Sequence, residues 1–208
     1  MDIRNYELGL LQTNCYVVGN DDKLVIIDPG GCPPSFMQTL QEDGRIPEAI
    51  LLTHGHFDHI MGVDELTAHF DLPVYALEQE AETFNDPAFN LGQAFIGQTV
   101  QLRSKITYFS EGEKLDLAGL TFETIWIPGH SYGGCCYYLR DEHVLFSGDA
   151  LFYGSIGRTD GPQGDMRALV DNLKEKVFIL PDDTEVYPGH GPATSIGFEK
   201  QYNPFIRG

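Results

Sequence analysis

The chain has 208 residues, 42% hydrophobic and 21% charged, which suits one globular domain over residues 1–208 and would leave two domains small. Its formal net charge is −18 and no run of Lys or Arg occurs, which excludes a phosphate-tracking surface and, with it, a nuclease or nucleic-acid binder. No stretch approaches the roughly 18–20 apolar residues of a membrane span, and Met1 to Glu7 lacks the basic and apolar regions of a signal peptide, so no membrane association and a cytoplasmic location are expected.

Ile3 to Leu10 and Asn14 to Val18 alternate like strands, and Asn20-Asp21-Asp22-Lys23 offers a hairpin turn before the apolar run Leu24 to Ile27. That third strand ends in Asp28-Pro29-Gly30-Gly31, which leaves a carboxylate at a strand terminus. Asp28 there is either an ordinary turn residue or a hydrogen-bond partner for a metal-binding histidine. Pro34 to Glu42 has helical spacing at Phe36, Met37 and Leu40 and stops at Asp43-Gly44. Ala49 to Leu52 reads as a buried strand, Gly62 to Phe70 as a helix, and Leu72 to Tyr75 as a further strand, an alternation that places helices on the outer face of a sheet. From Glu78 the pattern weakens: a short helix through Phe84, then a Phe-, Gly-, Asn- and Gln-rich stretch to Lys105 that reads as a loop near the substrate. Ile106 to Phe109, Lys114 to Leu117 and Thr121 to Ile127 read as strands of a second sheet.

Cys15, Cys32, Cys135 and Cys136 show neither C-x-x-C spacing nor a secreted framework and read as reduced packing residues. In a strand, Cys135 and Cys136 point to opposite faces, so at most one reaches any site.

The chemistry concentrates in His54-Gly55-His56-Phe57-Asp58-His59, directly after the Ala49–Leu52 strand. Imidazole nitrogens and a carboxylate are ligands suited to zinc, iron and manganese. The spacing separates them into two groups, because in an extended loop His54 and His56 face one way while Asp58 and His59 begin the next turn. Three later strands also stop at glycine and present a ligand: Pro128-Gly129-His130, Ser147-Gly148-Asp149 and Pro188-Gly189-His190. Together they predict His54, His56 and His130 around one metal, Asp58, His59 and His190 around another, and Asp149 between them. His69 and His143 receive no role from spacing and read as structural. Ser131, beside His130, has no partner suggesting a nucleophile and reads as a loop serine.

The His-x-His-x-Asp-His pattern at 54–59, with His130, Asp149 and His190, resembles the metallo-β-lactamase-fold hydrolases. Leu145 to Phe152, Gly154 to Asp160 and Tyr187 to Pro192 look more narrowly like the short bacterial glyoxalase II-like proteins. The resemblance spans essentially the whole chain. It implies an α/β fold, a four-layer αββα sandwich of two mixed sheets with helices outside, and a dinuclear site at one sheet edge holding two divalent ions, zinc foremost, with iron or manganese as alternatives. It also implies a thioesterase of hydroxyacylglutathione hydrolase type acting on an anionic small-molecule thioester such as S-lactoylglutathione. Larger glyoxalases II carry an added C-terminal helical domain with glutathione contacts; this chain is expected to lack one, so thioester chemistry carries over better than glutathione specificity.

Arg158, in Gly157-Arg158, stands where the larger enzymes have a lysine that meets a substrate carboxylate; its competing reading is a surface arginine paired with Asp160 or Asp165. Tyr132 and Tyr153 flank ligand segments as pocket or packing residues. An Asp at 149, where the resemblance would put a Cys in zinc β-lactamases, speaks against antibiotic hydrolysis. The expected mechanism is attack on the thioester carbonyl by a hydroxide bridging two metals, with Asp58 holding its proton and a thiolate leaving. The alternative is a persulfide dioxygenase of the same fold, using one iron on His54, His130 and Asp149. A non-catalytic module is a third reading, weakened by the presence of every ligand. Metal identity, the natural thiol and the oligomeric state are not read from the sequence.

Overall fold

The computed structural model describes residues 1–20 and 22–206; Asp21 of the expected hairpin turn lies outside the described residues, as do Arg207 and Gly208. The chain opens as an antiparallel meander of β1 (Asp2–Leu8), β2 (Thr13–Gly19) and β3 (Lys23–Ile27). Leu10, expected to end the first strand, sits instead in the turn between β1 and β2. Helix α1 (Pro34–Asp43) starts on a proline, whose missing N–H costs nothing in a first turn, and buries Phe36 and Leu40 one turn apart. Strand β4 (Ile46–Leu51), helices α2 (Phe57–Ile60) and α3 (Val63–Phe70), and β5 (Val74–Leu77) follow, with β4 and β5 parallel to β3.

The weakly patterned stretch holds a 3-10 turn at Glu78–Glu80 and two short helices, α4 (Ala81–Asn85) and α5 (Gly92–Ile96). It leads to β6 (Ile106–Phe109), and here the sequence reading needs correction. Rather than joining a second sheet, β6 lies parallel to β5, with Ile106 opposite Val74 and Phe109 opposite Leu77. Residues 78–105 are therefore a long crossover, the kind of connection that parallel neighbours require.

The second sheet begins with β7 (Lys114–Leu117), β8 (Leu120–Trp126), β9 (Cys135–Leu139) and β10 (Val144–Gly148), all antiparallel neighbours. A small hairpin, β11 (Leu151–Phe152) and β12 (Ser155–Ile156), precedes α6 (Met166–Asn172), which continues into a π-helical turn at Leu173–Val177. Strand β13 (Glu185–Pro188) then pairs parallel to β10, β14 (Thr194–Ser195) completes the sheet, and α7 (Ile196–Tyr202) packs behind it. Neither α6 nor α7 was anticipated from the sequence.

Alternation along the strands builds the layers. Cys15 and Val17 of β2 face the helices outside the first sheet, while Tyr16 and Val18 face the interior between the sheets. In β9, Cys135, Tyr137 and Leu139 point inward and Cys136 and Tyr138 point to the outer helices. Three apolar cores thus separate four layers, the expected αββα sandwich. At ~1.5–3 kcal/mol for each fully buried aliphatic or aromatic side chain, these faces supply the bulk of the stability. Burial also raises the pKa of the Cys32 thiol to about 11 and of Cys136 to about 12, and all four cysteines are free, as inert packing residues are. No helix among the described residues is long and apolar enough to cross a membrane.

Polar latches hold the two sheets together at one edge. The Asn14 side chain donates to the carbonyls of Pro188 and Gly191 at 2.9 and 2.8 Å, and the Tyr16 hydroxyl donates to Pro188 at 2.7 Å. From the other sheet, the Tyr137 hydroxyl donates to Leu52 at 2.7 Å and the Cys135 N–H to Thr53 at 2.9 Å. A further clamp comes from Glu80, which is almost completely buried: one carboxylate oxygen accepts from the Gly55 N–H at 2.9 Å and the other from the Gly133 N–H at 2.6 Å. It fastens the loop after β4 to the loop before β9. Burial pushes the Glu80 carboxyl up to about 7, with the two N–H bonds pulling against it.

Replacing Asn14 with Ala removes one of the two donors to the Pro188 carbonyl, which keeps the Tyr16 hydroxyl, and the side-chain donor to the exposed Gly191, and is expected to cost roughly 0.5–1.5 kcal/mol, read as a lower urea midpoint at unchanged slope. Glu80 makes a pH-dependent prediction. Its folded-state pKa lies above the ordinary value, so its contribution to stability is full below about 4.5 and is lost as pH rises through about 7. The stability of metal-free wild type relative to Glu80→Gln should therefore fall on the order of 3 kcal/mol between pH 4.5 and 8, at 1.36 kcal/mol per pKa unit; parallel pH profiles would show that Glu80 does not titrate there.

Candidate metal centre

The sandwich brings four strand ends to the same edge. β4 runs into His54, His56 and α2, with Asp58 and His59 on that single helical turn; β8 leads to His130, β10 to Asp149, and β13 to His190. Two glycines let these segments meet. Gly148 has a left-handed backbone at φ 49°, and an added Cβ would lie 2.4 Å from Thr53 Oγ1; a Cβ on Gly189 would lie 2.2 Å from Asp149 Oδ1.

Within the cluster, the donor atoms of His54, His56 and His130 lie within 4.8 Å of one another, and so do those of Asp58, His59 and His190. The first three rings stand nearly perpendicular, at interplanar angles of 77–84° and centroid separations of 4.6–4.9 Å, facing one common point. Between the two sets lies Asp149, with carboxylate oxygens 3.3 Å from His59 Nε2, 3.5 Å from His130 Nε2 and 3.7 Å from His190 Nε2.

The rings are held from behind. His54 Nδ1 is 3.0 Å from Thr53 Oγ1, His59 Nδ1 is 2.9 Å from Asp28 Oδ2, and His130 Nδ1 is 2.9 Å from the Arg158 carbonyl. Each contact fixes the ring and turns Nε2 into the centre, as outer partners of ligating histidines do. Asp28, left open by the sequence, is thus a histidine partner. It adopts a left-handed backbone at φ 50°, and its carboxylate also accepts from the Thr53 N–H and hydroxyl. The groups Asp28, His54 and His59 are also close enough to hold an ion, but the Asp28 oxygens already take those three hydrogen bonds and serve as support. Thr13, which no motif flagged, donates to Asp58 Oδ2 at 3.0 Å.

Inside this frame, His54, His59 and His130 each have a buried Nε2 with no hydrogen-bond partner, and so does Asp149 Oδ1. Buried polar atoms seldom go unpaired. Their convergence is the physical mark of a cation site, and imidazole with carboxylate suits zinc, iron or manganese. Electrostatics divides the two halves. Burial lowers the pKa of His54 far below its ordinary value, that of His56 to about 3, and that of His130 as well, so these three rings are neutral lone-pair donors. Burial opposes charging of His59 too, yet Asp149, Asp58 and Asp28 outweigh it and raise its pKa. His190 is raised in the same sense by its contact with Asp58 and by Asp149, again against burial. Burial likewise resists ionisation of Asp149 and Asp58, but the neighbouring histidines prevail and hold both below the ordinary carboxylate range.

The cluster floors a cavity of about 320 Å³ whose walls include Leu11, Phe57, Leu91, Phe95, Phe152 and Arg158. Arg158 is paired with Asp160, as its second reading had it, through Nε at 2.8 Å and Nη2 at 3.0 Å, yet it still borders the cavity and lies 5.0 Å from the Phe95 ring centre. Tyr132 and Tyr153, named as pocket or packing residues, lie off the walls. Phe152, the last residue of β11, lines the cavity, whereas Tyr153, in the turn that follows, stacks on Phe198 at 4.7 Å, and Tyr132 packs beside Trp126. The loop of residues 86–105 does reach the site, through Leu91 and Phe95. His69 contacts Gln41 and His143 contacts Asp183, both away from the centre.

A family model described as the metallo-beta-lactamase superfamily matches residues 8–190. Probable metallo-hydrolase YqgX of Bacillus subtilis is 38% identical over all of this chain and 99% of its own length; hydroxyacylglutathione hydrolase GloC of Haemophilus influenzae is 35% identical over 99% of this chain and 98% of its own. Among solved structures, BLEG-1 B3 metallo-beta-lactamase superposes with a TM-score of 0.94 at 41% identity, covering 100% of both chains. TTHA1623 in a di-iron-bound form gives 0.87 at 39%, covering 97% of this chain and 99% of its own. Fold, strand-end cluster and these likenesses agree: the chain belongs to the metallo-beta-lactamase superfamily.

Proposed function

We propose that this protein is a metal-dependent thioesterase that hydrolyses a thioester to a carboxylate and a thiol. The observation that carries the reading is the set of buried, partnerless Nε2 atoms and the Asp149 oxygen facing the floor of an open cavity. His54, His56 and His130 would hold one divalent ion and Asp58, His59 and His190 a second, with Asp149 shared; a di-iron relative of 39% identity supports a two-ion site. Such a pair, when bound, supplies Lewis acidity and a water whose pKa falls from 15.7 towards roughly 7.

The chain's own groups supply orientation and proton handling. Asp58 is ionised and fixed by Thr13 Oγ1 at 3.0 Å and His190 Nε2 at 3.1 Å. It accepts a proton of the attacking water and orients the remaining lone pair towards the carbonyl carbon. A C–O bond forms there, the C–S bond breaks, and its electron pair leaves on sulfur. A thiolate needs no proton to depart, which fits a cavity whose described lining residues include no general acid outside the His and Asp cluster. The carboxylic acid product and Asp58 each give their proton to solvent, which returns Asp58 to its carboxylate. Likeness to a hydroxyacylglutathione hydrolase supports a hydroxyacyl thioester such as S-lactoylglutathione as substrate.

β-Lactam hydrolysis is the second reading. Asp149 is the one position that speaks against it, and the 41% identity over the whole chain to BLEG-1 B3 metallo-beta-lactamase favours testing it. An amide nitrogen, unlike sulfur, must be protonated to leave, so the thioester is the easier substrate for this site.

Thiol release from S-lactoylglutathione, measured on zinc- or iron-loaded protein, is expected to reach kcat/KM above about 10⁴ M⁻¹s⁻¹, to vanish with chelator, and to accompany two metals per chain. Turnover of a chromogenic cephalosporin alone would select the second reading, and one bound iron with oxygen consumption would select persulfide oxidation instead. Gly189→Ala drives a methyl group against Asp149 and His59. It should lower metal stoichiometry and cut kcat at least tenfold while the far-UV circular dichroism spectrum is retained; full metal content would mean the shared carboxylate tolerates displacement.

A further inference from the structure

The cavity is asymmetric in chemistry. Its floor is the polar cluster, but Leu11, Phe57, Leu91, Phe95 and Phe152 make the walls apolar, and Arg158 is the one Lys or Arg among the described residues lining it. That single cation is already matched: Asp160 takes both ends of its guanidinium, and its flat face borders Phe95. The apolar character continues outward. Leu11 is 42% exposed, its neighbour Leu10 66% and Phe95 47%, whereas large apolar side chains around a working cleft ordinarily find cover.

This wall is built in. Leu91 adopts a left-handed backbone at φ 65°, unusual for a side chain branched beyond Cβ, directly before α5, which carries Phe95. Asn90, buried, holds the strained turn by accepting from the Gly92 N–H at 3.0 Å and donating to the Val100 carbonyl at 2.6 Å. Its own carbonyl accepts from the Phe57 N–H at 2.9 Å, which ties the wall to the helical turn bearing Asp58 and His59.

Glutathione brings two carboxylates and an ammonium. Desolvating those groups against leucine and phenylalanine is costly, and away from the cluster floor the described lining residues offer a carboxylate no cation other than the already matched Arg158. Resting on the thioesterase reading above, we infer that the natural substrate is a thioester with an apolar arm, a hydrocarbon or aromatic group of several carbons that lies against Leu91 and Phe95, in preference to a glutathione thioester.

The test uses zinc-loaded, full-length protein with thioesters of the neutral thiol N-acetylcysteamine, from acetyl through octanoyl, beside S-lactoylglutathione. For wild type, kcat/KM should climb on the order of threefold to fourfold per methylene until the wall is covered, the increment a buried CH₂ provides, and octanoyl should exceed S-lactoylglutathione at least tenfold. Phe95→Ala, at a half-exposed position where truncation spares the core, should flatten that slope. A flat series, or S-lactoylglutathione tenfold ahead, overturns the apolar arm and leaves the thioesterase intact. Calorimetric binding of the non-hydrolysable S-octyl and S-methyl thioethers of the same thiol separates the two claims. Tighter S-octyl binding that weakens in Phe95→Ala, without turnover of any thioester, would retain the apolar site and discard the thioesterase; no turnover and no preference between the two ligands would discard both.

Discussion

At one edge of the sandwich, imidazole and carboxylate groups have been removed from water with their reactive atoms left unpaired, and the surrounding structure is arranged around that cost. Removing a polar atom from water without a partner sacrifices on the order of 1–3 kcal/mol, and here His54 Nε2 and His130 Nε2 sit in that condition within one cluster, while His59 Nε2 and Asp149 Oδ1 face each other at 3.3 Å outside good hydrogen-bond geometry. The rings do not escape by rotating, because Thr53, Asp28 and the Arg158 carbonyl hold their other nitrogens. Nor do the loops relax independently, since Glu80 fastens the His54–His56 segment to the segment after His130. Three apolar cores supply the free energy against which such an arrangement stands. A divalent cation is the species that would convert this strained set of donors into a satisfied one.

The two halves of the cluster are chemically unequal. His54, His56 and His130 form a neutral set pushed to low pKa by burial. Asp58, His59 and His190 form a set whose histidines are pulled towards the charged state by carboxylates. In a metal-free protein His59 is the natural holder of a proton, so metal uptake at that half competes with protonation more than at the other. Asp149 couples the halves: its two oxygens face histidines of both sets, and any change that moves it is felt by both. Each glycine before a ligand lacks room for a side chain, against a different neighbour: Gly189 against Asp149 and His59, Gly148 against Thr53, and Gly129 against Asp165 and Leu169 at the start of α6.

Much of this was legible in the sequence because it is written in local patterns. Period-two alternation located most strands, and histidine and aspartate after strand-ending glycines located the cluster. The partnership of Asp28 with a histidine was foreseen only as one of two options, since a turn aspartate has the same local signature in either role. What escaped depends on pairings that no local pattern records. Strand β6 was placed in the wrong sheet because its partner, β5, is separated from it by a crossover of nearly thirty residues. Glu80 and Thr13 gave no signal, being single polar residues in unremarkable contexts whose roles exist only once distant loops meet. Tyr153 sits in the turn directly after Phe152, the last residue of β11, and the sequence of two adjacent aromatics does not say where that strand stops and hence which of them faces the cavity.

Specificity and chemistry share one skeleton in this protein. The Asn90 carbonyl bonds to the Phe57 N–H at the start of the helical turn that carries Asp58 and His59, while the residue after Asn90 forms the cavity wall. A ligand pressing on Leu91 or Phe95 therefore presses on the mounting of half the metal cluster. On the walls, as distinct from the cluster floor, charge is sparsely provided: the one arginine among the described lining residues is matched by Asp160. Above the cluster floor the wall offers a ligand mainly shape and apolar area. That wall is supplied by the stretch whose sequence pattern is weakest, because a surface built to meet a ligand is not constrained to meet the rest of the protein.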